Sequence, residues 1–161
     1  MTSIGVVHSS LPDQDIKDRT FEGKESVVEI YPKYQEGLSG LEEFSHIFVL
    51  SYFNRLREEQ IGPLRVKPKR LVRYGYTLDE IPLVGVFALD SPTRPNPIGL
   101  SLVSLIRIEN GRNLVVSGLD LFEGTPVLDI KPYQSIYRVE KFKVSGWQME
   151  ASKRQKGDLS R

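Results

Sequence analysis

Two short stretches of this 161-residue chain concentrate side chains able to bind and transform a ligand. The first, residues 85–101, interleaves Pro92, Pro95 and Pro97 with Ser91, Arg94 and Asn96. Each proline fixes its own φ and restricts the residue before it, so the spacing predicts an extended, rigid rod with Ser91, Arg94 and Asn96 at fixed intervals. A guanidinium and a carboxamide on a pre-ordered backbone suit a planar, polar ligand, because little entropy is lost on binding. The alternative is a proline-braced crossover between strands. The second stretch, residues 120–133, gathers Asp120, Glu123, Asp129, Lys131 and Tyr133 around a Gly124-Thr125-Pro126 turn. Alternate residues of an extended segment share a face, so Asp129, Lys131 and Tyr133 bring a carboxylate, an ammonium and a phenol to one side. The competing reading is an Asp129–Lys131 surface pair beside a core tyrosine. His46, after Phe44-Ser45, is either part of the chemistry or a satisfied histidine at a helix–strand junction.

Charge adds a third candidate. The net +1 of the whole chain conceals four blocks of alternating sign: −5 over residues 1–54, +5 over 55–73, −4 over 74–130 and +5 over 131–161. The 55–73 block holds Arg55, Arg57, Arg65, Lys67, Lys69, Arg70 and Arg73, with Tyr74 and Tyr76 following. A basic run with aromatics suits nucleic-acid phosphates and bases, and the alternative is a solvated basic loop.

The elements that must position these residues read mostly as strands. Short runs rich in Val, Ile, Tyr and Phe, bounded by Gly, Pro or Asn, occur at 4–8, 26–31, 47–53, 83–88, 100–108, 114–119, 128–131 and 137–149. The last alternates imperfectly, and Gly146 marks a bulge within it. Asn110-Gly111 between two such runs predicts a tight turn joining an antiparallel pair. Helix signals are few: a capping-box pattern at Ser39–Glu42 and a second short candidate over Asn54–Gln60. Many strands and few helices predict a mainly β fold, a small closed or nearly closed barrel with short helical insertions. There is no Gly-rich strand-to-helix phosphate loop and no internal repeat.

Composition bounds the rest. A hydrophobic fraction of 39% and a charged fraction of 27% predict one soluble domain over residues 1–150, followed by a polar, flexible tail over 151–161. No run is long and apolar enough for a membrane helix and no leader sequence is evident, so a cytoplasmic protein is expected. With no cysteine and two histidines, no metal site is expected.

Taken together, residues 37–47 (GLSGLEEFSHI), 85–88 (GVFA), 91–92 (SP), 94–101 (RPNPIGLS) and 124–133 (GTPVLDIKPY) resemble the TrmO, or TsaA-like, tRNA methyltransferases over roughly residues 4–133. The resemblance implies a β-barrel enzyme in its short, single-domain form. It would dimerise, bind S-adenosylmethionine close to the subunit interface, and methylate the exocyclic nitrogen of threonylcarbamoyl-adenosine beside the anticodon of tRNA. Carried over by position, the cofactor contacts fall on Asn54, Arg55, Leu100, Asp120, Leu121, Phe122 and Glu123, and more loosely on Arg19. Asp90 stands where the family usually carries an arginine at the cofactor. Within this frame Arg94, Asn96, Asp129 and Tyr133 are the candidate catalytic residues, with Asp129 the candidate proton acceptor. Lys67, Lys69, Arg70, Arg73 and Lys131 are the candidate contacts to tRNA phosphates. If the basic block holds phosphates, tRNA affinity falls steeply with salt, and reversing Lys67, Lys69 and Arg70 together flattens the log–log slope in a filter-binding series. An unchanged slope would make the block a solvated loop.

Overall fold

The computed structural model describes residues 1–19 and 21–158. In chain order its elements are β1 (Gly5–His8), α1 (Asp13–Asp18), β2 (Glu25–Ile30), β3 (His46–Tyr52), β4 (Arg65–Val66), β5 (Val84–Gly85), β6 (Ile98–Glu109), β7 (Asn113–Ser117), β8 (Pro126–Pro132) and α2 (Gly146–Asp158), with short 3-10 turns between them. They fall into two compact units, one from residues 1–55 and 97–137, the other from 56–96 and 138 onward.

The first unit is a closed antiparallel barrel of order β1-β2-β7-β6-β3-β8. Strand alternation turns Val7, Val28, Ile30, Ile47, Val49, Val103, Leu114, Val116 and Val127 inward, where they pack as one core with Leu38, Leu41, Leu119 and Leu121. Each such burial contributes about 1.5–3 kcal/mol, and closure leaves these six strands no edge to pair with another chain. Asn110 and Gly111 take left-handed φ values of 52° and 69°, and the Arg112 N–H donates to the Glu109 carbonyl at 3.1 Å, so the β6–β7 hairpin turns where its sequence predicts. Barrel and β-dominated class are as expected.

The second unit pairs β4 with β5 and packs Leu71, Tyr76, Ile81 and Ala151 into a small core, with Tyr74 and Trp147 against it. Trp147 and Ala151 are four apart on α2 and so share a face. This helix replaces the strand expected over 137–149: a 3-10 turn at Ser135–Tyr137 is followed by exposed Val139, Phe142 and Val144, and Gly146 opens the helix instead of marking a bulge. In a strand Trp147 and Ala151 would lie about 13 Å apart, whereas one helical turn brings both onto the small core of their own unit. The helix also runs through residue 150, the expected domain boundary, to Asp158. Residues 159–161 of the expected tail lie outside the described residues.

Other expectations shrink to single turns. The 83–88 run contributes only Val84–Gly85 before a 3-10 turn, and the 54–60 candidate only Glu58–Gln60. At Ser39–Glu42 no side chain caps the turn Leu41–Glu43, because Gly40 itself takes the cap position at φ 85°. Helix α1 has no counterpart among the expected elements. Gly99, paired with Ser51, is a close-approach glycine: a Cβ there would lie 2.6 Å from Ser51 Oγ and 2.7 Å from the Phe53 ring. Gly99→Ala should therefore cost about 1–3 kcal/mol by overpacking, read as a lower urea midpoint. An unchanged midpoint would contradict this tight packing of β3 on β6.

Candidate functional site

The barrel carries a polar cluster on the segments that leave β1, β3 and β7. Between β7 and β8 the chain runs through Gly118 (φ 84°) and Gly124 (φ 77°), and its residues alternate in burial. Leu119 and Leu121 are anchored in the barrel core, so Asp120 and Glu123 face solvent and Phe122 is half-buried. The Gly124 N–H donates to the Val7 carbonyl at 2.9 Å and the Thr125 hydroxyl to the Phe122 carbonyl at 2.7 Å, which fixes the loop against β1. Ser101, only 6% exposed on β6, donates its hydroxyl to Asp120 at 2.5 Å.

Arg55, in the turn after β3, ties three segments together. Its guanidinium donates to the Glu123 carbonyl at 2.6 Å, pairs with Asp13 of α1 at 2.9 Å, and lies 5.0 Å from the centroid of the Phe122 ring. Asn54 precedes it in the same exposed turn. The Ser9 N–H donates to the Glu123 carboxylate at 2.5 Å, and a His8 ring nitrogen faces the same carboxylate at 3.2 Å. The other nitrogen of His8 faces Glu29 at 2.7 Å. Arg112 also pairs with Glu29, and its donation, ahead of that of His8, holds the Glu29 carboxyl below the usual carboxylate range. Against one guanidinium the cluster sets the carboxylates of Asp13, Asp120 and Glu123, an environment favouring a cationic ligand with hydroxyl and amine donors.

Of the residues expected to hold a cofactor, the structure thus assembles Arg55, Phe122 and Glu123, with Asp120 on the same loop and Asn54 in the same turn. Leu121 is core. Arg19 caps the C-terminus of α1 at φ 58°, the helix whose first residue, Asp13, meets Arg55. Leu100, 67% exposed, points from the barrel's outer face, opposite to the buried neighbour Ser101.

That outer face also carries the second group. Asp129 pairs with Leu50 and Lys131 with Phe48 across β8 and β3, and the Tyr133 N–H donates to the His46 carbonyl at 3.0 Å, so the expected alternation is observed. Lys131 and Asp129 form an ion pair at 2.9 Å, which raises the Lys131 pKa above the ordinary lysine value, and Asp129 also accepts the Ile130 N–H at 2.9 Å. Tyr133 sits in an aromatic cluster, with ring centroids 5.8 Å from Phe48, 6.1 Å from Tyr137 and 6.4 Å from His46. His46 contacts Ser45 at 2.9 Å and Ser104 at 3.2 Å, as a satisfied histidine does.

The remaining candidates belong to the second unit. The proline-rich segment is a bent loop instead of a rod: the Ser91 hydroxyl accepts the Thr93 N–H at 3.2 Å, and Arg94 donates to the carbonyls of Leu89 and Ser91 at 3.1 and 3.2 Å. Arg94 therefore closes its own loop, while Asp90 and Asn96 are exposed on it. Lys67 donates to the Leu78 carbonyl at 2.7 Å. Lys69, Arg70 and Arg73 sit exposed on the 3-10 segment Lys69–Tyr74, held down by buried Leu71. The two tyrosines read as stacking groups are not presented: Tyr76 is 8% exposed with Arg154 3.8 Å over its ring, and Tyr74 packs against the same core.

Missing from the expected set are His8, Ser9, Asp13, Glu29 and Ser101. The first strand pairing could have supplied His8 and Glu29, since β1 and β2 pair Val6 with Glu29 and Val7 with Val28, which turns both polar residues to one face. Ser101 ends the RPNPIGLS string, and its partner Asp120 lies 19 residues on, beyond the reach of any local spacing signal.

The family model for the tRNA-methyltransferase O N-terminal domain matches residues 7–137 of the chain. A probable S-adenosyl-L-methionine-binding protein of Methanothermobacter thermautotrophicus is 44% identical over 135 residues, 81% of this chain and 86% of its own. The mouse tRNA (adenine(37)-N6)-methyltransferase is 41% identical over 108 residues, 67% of this chain but 23% of the mouse protein. The crystal structure of TrmO from Pseudomonas aeruginosa superposes with a TM-score of 0.66 at 32% identity, covering 88% of this chain and 59% of the solved one.

The burial of Tyr76 yields a direct check. Its hydroxyl is buried without a hydrogen-bond partner among the described residues, so Tyr76→Phe should leave tRNA affinity unchanged and stability equal or higher by about 1 kcal/mol, measured by filter binding and urea melts. Loss of RNA affinity in a folded Tyr76→Phe protein would return the ring to an exposed, base-contacting role.

Proposed function

Because the chain belongs to the tRNA-methyltransferase O N-terminal-domain family, we propose that it is an S-adenosylmethionine-dependent methyltransferase of tRNA whose acceptor is the exocyclic nitrogen of threonylcarbamoyl-adenosine beside the anticodon. The observation that carries this reading is the convergence of Arg55, Phe122 and Glu123 on one segment with Asp120, in a barrel related to proteins named for S-adenosylmethionine binding. The name of the mouse relative, which specifies N6 of an adenine in tRNA, supports the choice of acceptor.

The donor set fits the cofactor. S-adenosylmethionine carries an ammonium, a sulfonium and one carboxylate, a net positive charge, together with a ribose diol and an adenine. Asp120 and Glu123 supply acceptors for hydroxyl and ammonium donors, and Phe122 with Arg55 offers an aromatic and a planar cation for adenine. The bound cofactor supplies an electrophilic methyl group, and a site that transfers it works by positioning the acceptor in line and relieving charge, more than by strong acid–base chemistry. Methylation of an amine releases one proton. Asp129 is the carboxylate proposed to receive it, with Tyr133 as a relay and Lys131 holding the Asp129 carboxylate in place. Arg94 braces its loop so that Asn96 can orient the acceptor base, and Lys67, Lys69, Arg70 and Arg73 hold phosphates.

The active form is proposed to be a cytoplasmic homodimer. The outer face formed by β3, β6 and β8 exposes Leu100, Leu102 and Tyr52, with Tyr137 of the following 3-10 turn packed on Phe48, an apolar surface of the kind a second copy covers. One observation favours a second reading: Asp90 reverses the charge the family pattern carries, which would suit a barrel that binds RNA without catalysis. Cofactor affinity separates the two. Calorimetry is expected to show S-adenosylmethionine binding that Asp120→Ala weakens about tenfold or more, the effect of losing one charge-assisted hydrogen bond. No binding by the parent, with tRNA still bound, would favour the second reading. Mass spectrometry of tRNA nucleosides from cells with and without the protein should then show the N6-methyl derivative of threonylcarbamoyl-adenosine only when it is present. An identical nucleoside profile would contradict the proposed acceptor.

A further inference from the structure

His8 stands between two carboxylates. One of its ring nitrogens lies 2.7 Å from Glu29 and the other 3.2 Å from Glu123. An imidazolium has two N–H groups and satisfies both carboxylates, whereas neutral imidazole has one donor and must turn a lone pair toward the other oxygen. The two partners are not equal. Glu29 is additionally held by Arg112, while the Glu123 side chain is the more exposed and its contact to His8 the longer. Loss of the proton therefore releases Glu123 first, leaving its carboxylate, among the described residues, on the Ser9 N–H.

We propose that His8 is a positioning residue which, as an imidazolium bridging Glu29 and Glu123, fixes the Glu123 carboxylate for the cofactor and makes cofactor affinity depend on pH. The role rests on the reading that the 120–123 segment holds S-adenosylmethionine. It goes beyond that reading in using a residue outside the positions carried over from the family and in giving the site a titration. The charged groups around the ring are these two glutamates, with Arg112 behind Glu29. Glu25, Glu109 and Arg107 line the same open cavity of about 400 Å³. Arg107 pairs with both Glu25 and Glu109, which leaves that trio at a net charge of −1, so it favours the imidazolium in the same sense as Glu29 and Glu123, the two carboxylates in contact with the ring. Donation to Glu29, and then to Glu123, raises the His8 pKa above its ordinary 6.5. The bridge is accordingly complete below that ordinary value and is lost as pH rises through the raised one.

The test is calorimetric titration of the full chain with S-adenosylmethionine from pH 5.5 to 8.5, for the parent, His8→Ala and His8→Arg. The ligand's own ionisation is common to all three and cancels in the ratio of their affinities. Relative to His8→Ala, the parent is expected to bind about tenfold more tightly at the acid end and equally at the alkaline end, a difference the size of one charge-assisted hydrogen bond. His8→Arg, permanently charged, should rescue affinity at the alkaline end. NMR of the two histidine rings supplies a ligand-free readout: the His8 titration should move to lower pH in Glu123→Gln. Binding by the parent with the same pH profile in His8→Ala and His8→Arg would overturn the role of His8 and leave the cofactor reading intact. No binding by the parent at any pH would overturn the cofactor reading, and the role of His8 with it. Should His8→Ala fail to fold, the comparison of the parent with His8→Arg decides the question.

Discussion

Closure of the barrel between β1 and β8 is the constraint on which the other features depend. The pairing is short, Gly5 with Val127 and Val6 with Pro126, and it is extended by backbone hydrogen bonds from Ile4 to Val127 and from Val7 to Thr125. It brings the end of the first strand against the loop that enters the last one, and so seats Ser9 and His8 on Glu123. The same closure puts β3 between β6 and β8, both neighbours in full register except for a bulge after Leu50. The turn after β3 then delivers Arg55 to the carbonyl of Glu123. None of these contacts is local in sequence: they join residues 8, 55 and 123, and they exist because an apolar core of Val, Ile and Leu makes an open sheet costlier than a closed one.

The barrel's two faces divide the chemistry. Inward-facing positions supply stability and, at Ser51, Ser101 and Thr125, a few buried hydroxyls near the segments that carry the polar cluster. Ser101 is the link between the two roles, since a nearly buried hydroxyl holds an exposed carboxylate, Asp120, in one orientation. Outward-facing positions of β3 and β8 carry the Asp129–Lys131 pair and the aromatic cluster around Tyr133. The second unit contributes the basic 3-10 segment and the loop closed by Arg94, each anchored by its own hydrogen bonds or by buried Leu71.

Strand-forming segments were legible because their signals are local. Val-Val, Ile-Phe-Val-Leu and the Asn110-Gly111 turn announce period-two burial and a hairpin within a few residues, and the barrel class follows from their number. Asp129, Lys131 and Tyr133 were legible for the same reason. The 137–149 run was not, since its Val and Phe residues match a strand's composition, and what decides for a helix is the small core of its own unit, which takes Trp147 and Ala151 from successive turns. Tyr74 and Tyr76 misled because an aromatic beside basic residues looks the same in sequence whether its ring faces a base or the small core of its own unit. Proline spacing predicted an extended rod, whereas the 91–96 loop bends through the bonds of the Ser91 and Arg94 side chains, whose partners no spacing rule specifies. The His8–Glu123 contact joins residues far apart in the chain, and nothing short of the β1–β8 pairing reveals it.

The central claim is that the methyl donor is bound on the barrel by the segments following β1, β3 and β7. Amide chemical-shift mapping of the full chain during titration with S-adenosylmethionine tests it most directly. The account predicts saturable shifts concentrated at residues 9–13, 54–55 and 119–124, with a fitted occupancy of one ligand per chain. Shifts confined to the basic segment 65–74 or to the 90–96 loop, with the 119–124 amides unmoved at saturation, would contradict it.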